Sequence, residues 1–134
     1  DGGERRACIY GLDQTTAPFV LFLDADDELL PGALDAIIPH LQPEVAKVQF
    51  CLGRVDGGGQ HLGSMVPHPE LFCRVGDLRE RVRRTGVYVS PPTSGNVFRR
   101  DLCELLRDAD YDNAVDGIII LAAPFFGEIV SLPE

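Results

Sequence analysis

FVLFLDADDELLPG, residues 19–32, passes from unbroken apolar residues directly into four acidic ones, Asp24, Asp26, Asp27 and Glu28. Phe19 to Leu23 has the makeup of a buried strand, apolar on both faces. The carboxylates fall just past its C-terminal end, where open α/β sheets bind ligands. Crowded like charges repel and favour solvent, so a fold that gathers them at a strand end neutralises them with something positive. A divalent cation fits, because carboxylate oxygens suit hard ions such as Mg²⁺ or Mn²⁺. Beyond them Pro31 opens a helix in which Leu34, Ile37, Ile38 and Leu41 share one core-facing stripe, with Pro39 bending or ending it early.

Outward from this stretch the pattern stays α/β. Upstream, GLDQTTAP (residues 11–18) carries the marks of a helix end and loop. Downstream, Val48, Phe50 and Leu52 alternate, turn-forming residues follow at Asp56 to Gly59, and the chain returns to Val66, which predicts a β-hairpin. His61 and His68 flank the return strand and read as solvated. Residues 76–85 predict a short helix with Leu78 and Val82 inward and Arg79, Arg81, Arg83 and Arg84 on a solvated face. YVSPPTSGNVFRR, residues 88–100, sets a rigid Pro91-Pro92 step before small polar residues and Gly95, a loop that brings backbone close to something or simply turns. Leu102, Leu105 and Leu106 mark another short helix. AVDGIIILAAPFFGEI, residues 114–129, reads as a mostly buried helix ended near Pro124 and Gly127, then a strand to Leu132. Asp116 stands in its first turn, where the helix dipole favours an anion.

Composition bounds the function. The chain has 134 residues, enough for one domain spanning 1–134, with 45% apolar and 25% charged residues, ordinary globular usage. A formal net charge of −9 argues against nucleic-acid partners, whose binding depends on Lys and Arg displacing counterions. The longest apolar run, Ile118 to Phe126, is far short of a membrane span. Cys8, Cys51, Cys73 and Cys103 are scattered without zinc-like spacing and read as buried reduced thiols, which suits the cytoplasm or the periphery of a membrane facing it. The start at Asp1, without an initiator Met, reads as that of a fragment.

Three readings of the acidic knot compete. A calcium loop of EF-hand type would use Asp24, Asp26 and Glu28 as its first, third and fifth positions, but its sixth is Leu29 rather than Gly and a strand precedes it. The knot also resembles the first motif of haloacid dehalogenase-like phosphatases, with Asp24 as nucleophile and Asp26 as acid/base. There Glu28 stands where a hydroxyl or β-branched residue belongs.

The third resemblance covers nearly the whole chain and is to glycosyltransferase family 2, the nucleotide-sugar-dependent transferases of GT-A fold. It begins at Gly2-Gly3, like their NGG turn, and continues through Ala7 and Gly11, which match the small residues of their A-R-N-x-G helix, although Cys8 and Ile9 replace its Arg and Asn. FVLFLDADDELLPGAL is similar to their FLDADD segment, Tyr88 to Asn96 resembles a signature of one branch, and Val115 to Ile129 resembles the acidic catalytic motif.

The resemblance implies a partial GT-A domain, the C-terminal two-thirds of a three-layer α/β/α sandwich with a mixed sheet and a hairpin. The family's N-terminal nucleotide-binding strands would precede Asp1, leaving a sheet edge open to pairing with another copy. It implies metal-assisted, inverting transfer of a sugar from a UDP-sugar-like donor to a saccharide or other hydroxyl acceptor, with Mn²⁺ or Mg²⁺. By the same resemblance Asp24 and Asp26 frame the DxD motif and contact the donor, Asp26 and Asp27 hold the metal, and Ser94, Gly95 and Asn96 line the sugar or acceptor pocket. Asp116 is the implied base. A degenerate, non-catalytic module on the same scaffold is the remaining alternative.

Overall fold

The computed structural model describes residues 3–72, 77–110 and 116–133. Its central sheet has four strands: β1 (Phe19–Leu21), β2 (Val45–Phe50), β5 (Asn96–Arg99) and β6 (Glu128–Leu132), in the order β1-β5-β2-β6. β5 runs antiparallel to both neighbours, pairing Val20 with Phe98 and Val48 with Val97, whereas β2 and β6 are parallel. The sheet is therefore mixed, as expected.

Alternation along β5 sends successive side chains into two cores. Phe98 joins Leu12 of α1 (Gly3–Asp13), Leu102 and Cys103 of α4 (Arg100–Cys103), Leu106, and Ile119 and Ala123 of α5 (Asp116–Phe126). Val97 joins Val45, Val48 and Phe50 of β2 and Ile37 of α2 (Ala33–Ile37) on the other face. Helices thus cover both faces, which makes three layers.

The predicted hairpin forms, but not with the strand assigned to it. Val48 and Phe50 belong to the central sheet, and the hairpin is a separate two-stranded ladder of β3 (Leu52–Val55) and β4 (His61–Val66). One alternating run was in fact two strands, divided at Cys51. Asp56 closes the turn by accepting from the backbone N–H groups of Gly58 and Gln60 at 2.8 and 3.0 Å. His61 and His68 are exposed, as read.

Two further expectations shift. The first strand ends at Leu21, where its pairing with Val97 ends, and Leu23 beyond it is 45% exposed; among the described residues β1 has one paired neighbour. The stripe after Pro31 is not all core. Pro39 follows one turn of α2 and tightens the chain into a 3-10 turn at Ile38–His40, so Ile37 is buried while Leu34 and Ile38 are exposed.

The Arg-rich helix is α3 (Leu78–Thr85), capped by the Asp77 carboxylate, which accepts from the N–H groups of Arg79 and Glu80. Its four arginines are exposed. Cys51 and Cys103 are buried free thiols and Cys8 is a partly buried one; burial lifts the Cys103 thiol to about 12. Gly2, Cys73, Gly76 and residues 111–115, Val115 among them, lie outside the described residues. Among the described residues no helix is long and apolar enough to cross a membrane.

Pro124 lies inside α5 rather than ending it. Lacking an N–H, it leaves the Ile120 carbonyl one turn earlier without a helical donor. The Tyr88 hydroxyl donates to that carbonyl at 2.8 Å, supplying the missing bond.

Candidate active site

Past β1 the chain turns on a hydrogen bond from the Asp27 N–H to the Asp24 carbonyl, 3.1 Å, and Asp24, Asp26, Asp27 and Glu28 all face solvent. Partial burial and the neighbouring charges of Asp27, Asp26 and Asp116 raise the Asp24 carboxyl above its ordinary value, with the Ser94 hydroxyl acting the other way. Asp116, far along the chain, is therefore part of the same electrostatic site.

The link between them is the loop from Tyr88 to Asn96. Ser94 is fully buried, and its Oγ accepts the Asp24 N–H at 2.9 Å. Its neighbour Thr93 donates from Oγ1 to Asp116 Oδ2 at 3.0 Å. Two consecutive residues thus grip the two acidic segments. Gly95 is required by close approach: a Cβ there would fall 2.6 Å from Pro91 Cβ and 2.8 Å from the Phe50 carbonyl oxygen. Asn96 is fully buried, and its amide nitrogen donates to the carbonyls of Pro91, Pro92 and Thr93 at 3.3, 2.8 and 3.3 Å. The side chains of Ser94 and Asn96 are therefore occupied inside the protein.

Two members of this arrangement carry no motif in the sequence. Thr93 is one small polar residue of a turn-forming loop. Lys47 stands on an alternating strand, where a polar residue is expected to face water, yet it is fully buried and donates to Ser90 Oγ and Asn96 Oδ1, both at 2.9 Å. The overlooked signal was a lysine between apolar residues in a strand next to a Pro-Pro, Ser- and Asn-rich loop.

For a metal, the donor set is one of hard oxygens. Among the described residues no group of three or more His, Cys, Asp or Glu side chains gathers as a cage. One or two exposed carboxylates with open positions nevertheless suit an ion such as Mg²⁺, which completes its shell with water and substrate phosphates. After partial burial, the neighbouring carboxylates are what raise Asp24, and that repulsion is the kind a cation relieves. A cleft of about 990 Å³ opens elsewhere, between α3, the C-terminal end of α5 and β6, lined by Gln49, Leu78, Tyr88, Phe125 and Ser131 among others. None of Asp24, Asp26, Asp27 and Asp116 lines it, so this cleft and the acidic residues lie apart.

A mixed sheet with helices on both faces, a hairpin outside it and acidic residues past a strand end is the architecture of a partial GT-A domain. The sequence profile of glycosyl transferase family 2 matches residues 1–107, and the chain belongs to that family. It is 32% identical to an uncharacterised glycosyltransferase of Nostoc sp. (strain PCC 7120), an alignment covering 98% of this chain and 42% of the relative. The chain thus spans less than half the length of that relative. No solved structure matches it. Family membership displaces the calcium-loop and phosphatase readings and gives no favour to the degenerate module; Asp116 lies beyond the matched residues.

Proposed function

We propose that the protein containing this chain transfers a sugar from a nucleoside-diphosphate sugar to an acceptor hydroxyl with inversion, using Asp116 as the base. The observation that carries this reading is the grip of adjacent Thr93 and Ser94 on Asp116 and on the backbone of Asp24, which unites an acidic helix start with an acidic strand end. The acceptor oxygen attacks the anomeric carbon as the bond to the β-phosphate oxygen breaks, its electron pair leaving with the nucleoside diphosphate. The acceptor proton passes to Asp116. Thr93 engages Oδ2, which fixes the carboxylate and leaves lone pairs on it to take the acceptor proton.

Asp24 and Asp26 take the donor side, and the Ser94-Gly95-Asn96 turn serves it by fixing the backbone around Asp24. Asp26 and Asp27 would hold Mn²⁺ or Mg²⁺, which would offset the charge on the diphosphate. In a chain of net charge −9, an acidic pocket without such an ion repels the donor.

The test is Asp116→Asn in the full-length protein, assayed with whichever sugar nucleotide the unaltered protein turns over in a panel of UDP-, GDP- and dTDP-sugars. Turnover falls about 10²-fold or more, the scale of losing a positioned base. Melting temperature and nucleotide affinity hold, since Asn serves a helix start nearly as well as Asp. Near-normal turnover would reduce Asp116 to a helix-start anion.

A further inference from the structure

Lysine is almost never fully buried without a charged partner. Lys47 has 0% exposure on β2, an inner strand of the sheet, and among the described residues no carboxylate lies within ion-pair distance of it. Its Nζ donates to Ser90 Oγ and Asn96 Oδ1 and lies 4.9 Å from the centroid of the Tyr88 ring and 5.9 Å from that of Phe98. Burial holds the ammonium well below its ordinary pKa, and the nearby Asp116 charge opposes that shift. A methionine would fill the same space without the cost of desolvating a cation. Packing alone does not explain this residue.

Its hydrogen bonds do. An ammonium only donates, so Lys47 requires the oxygen of the Asn96 amide to face it. The amide nitrogen then points the other way, onto the carbonyls of Pro91, Pro92 and Thr93. Those residues lead directly into the pair that holds Asp116 and Asp24. With Lys47 replaced by an apolar side chain, Asn96 Oδ1 keeps only the Ser90 hydroxyl, at 3.2 Å, and although the three carbonyls still call for the amide nitrogen, the side chain is no longer pinned to β2 from its other end.

We propose that Lys47 is a positioning residue: by orienting the Asn96 amide it sets the Pro91–Gly95 loop so that Thr93 and Ser94 hold Asp116 in register with Asp24. The inference rests on the reading of Asp116 as base.

The test makes Lys47→Met, Thr93→Val and the double variant in the full-length protein, with Asp116→Asn alongside, assayed with the sugar nucleotide found by the panel above. Lys47→Met is expected to melt at or above the unaltered temperature. Its kcat falls by up to about 10²-fold, the scale of a misplaced catalytic group, while donor KM stays within about threefold. The double variant falls no further than the worse single one, because both act through the same contact. A kcat for Lys47→Met close to the unaltered value, or losses that multiply in the double variant, would overturn the proposal. If Lys47→Met does not fold, Asn96→Asp replaces it, keeping a partner for Lys47 while removing the donors to the loop. The same selective loss of kcat is expected, and unchanged kcat would overturn the proposal. Should Asp116→Asn stay active, the base reading fails, and amide exchange then judges Lys47 alone. Faster exchange at the Gly95 N–H, which is bonded to the Pro92 carbonyl, with β2 still protected supports positioning, and unchanged exchange overturns it.

Discussion

The acidic turn at residues 24–28 and the loop at residues 88–96 touch through the Asp24 N–H and Ser94 Oγ, yet they are held on opposite terms. Every residue from Leu23 to Glu28 faces solvent, and the turn's charges repel one another. In the loop, Tyr88, Pro91, Ser94, Gly95 and Asn96 are buried, and the polar groups of Ser94 and Asn96 have protein partners. The contrast teaches a division of labour: the side proposed to meet a charged ligand is wet, while the side that sets distances is packed as part of the core.

Breaking the packed side produces the largest change in stability. Gly95→Ala forces a Cβ against Pro91 and the Phe50 backbone, an overpacking expected to cost about 1–3 kcal/mol or more in urea denaturation. An unchanged midpoint would mean that the loop is not seated on β2. Ser94→Ala removes the acceptor for the Asp24 N–H and is expected to cost about 0.5–1.5 kcal/mol, the net scale of one hydrogen bond. A larger loss than Gly95→Ala would invert the ranking proposed here.

On the wet side, Asp27→Asn and Asp35→Asn are each expected to shift stability by less than about 0.5 kcal/mol. They differ in binding. Calorimetric titration of the full-length protein with UDP in MnCl₂ is expected to weaken for Asp27→Asn and to hold for Asp35→Asn, whose site is on α2. Equal behaviour of the two would remove the metal role from the turn.

The smallest effect is a titration. Because the fold raises the Asp24 carboxyl, the native state binds that proton more tightly than the unfolded chain. This group therefore adds stability as pH falls through its folded pKa toward the ordinary value of 3.8, and the contribution is lost as pH rises again. Replacing Asp26 and Asp27 together by Asn is expected to lower the Asp24 pKa in a carbon-13 carboxyl titration without restoring 3.8, since partial burial is the first cause and remains. A full return would assign the shift to charge alone.

How far the sequence could be read follows the same divide. The strand running into carboxylates, the helix from Asp116 and the strand to Leu132 announce themselves through runs of apolar residues ended by Asp, Pro and Gly. The roles of Lys47 and Thr93 do not, because period-two alternation ordinarily places polar strand residues in water. β2 and β4 make the point at equal length. All six residues of β2 are buried, Lys47 and Gln49 included, whereas all six of β4 are exposed, Leu62, Met65 and Val66 included. Place in the sheet decided burial, and place is not local information. Leu34 and Ile38 misled for a related reason: a stripe at helical spacing needs several turns to stay on one face, and Pro39 allowed barely one.

The bond from Tyr88 to the Ile120 carbonyl makes the tyrosine and Pro124 a single word spelled in two parts of the chain. A proline within a helix is ordinarily a defect, tolerated where some outside donor answers the carbonyl it orphans. Here that donor also presents its ring to Lys47, so the same residue mends α5 and shelters the buried cation. Tolerance to change at position 88 is therefore conditional on position 124: once an alanine there restores the helical N–H, a phenylalanine at 88 forfeits little, whereas beside the proline it strands a carbonyl in the helix that begins with Asp116.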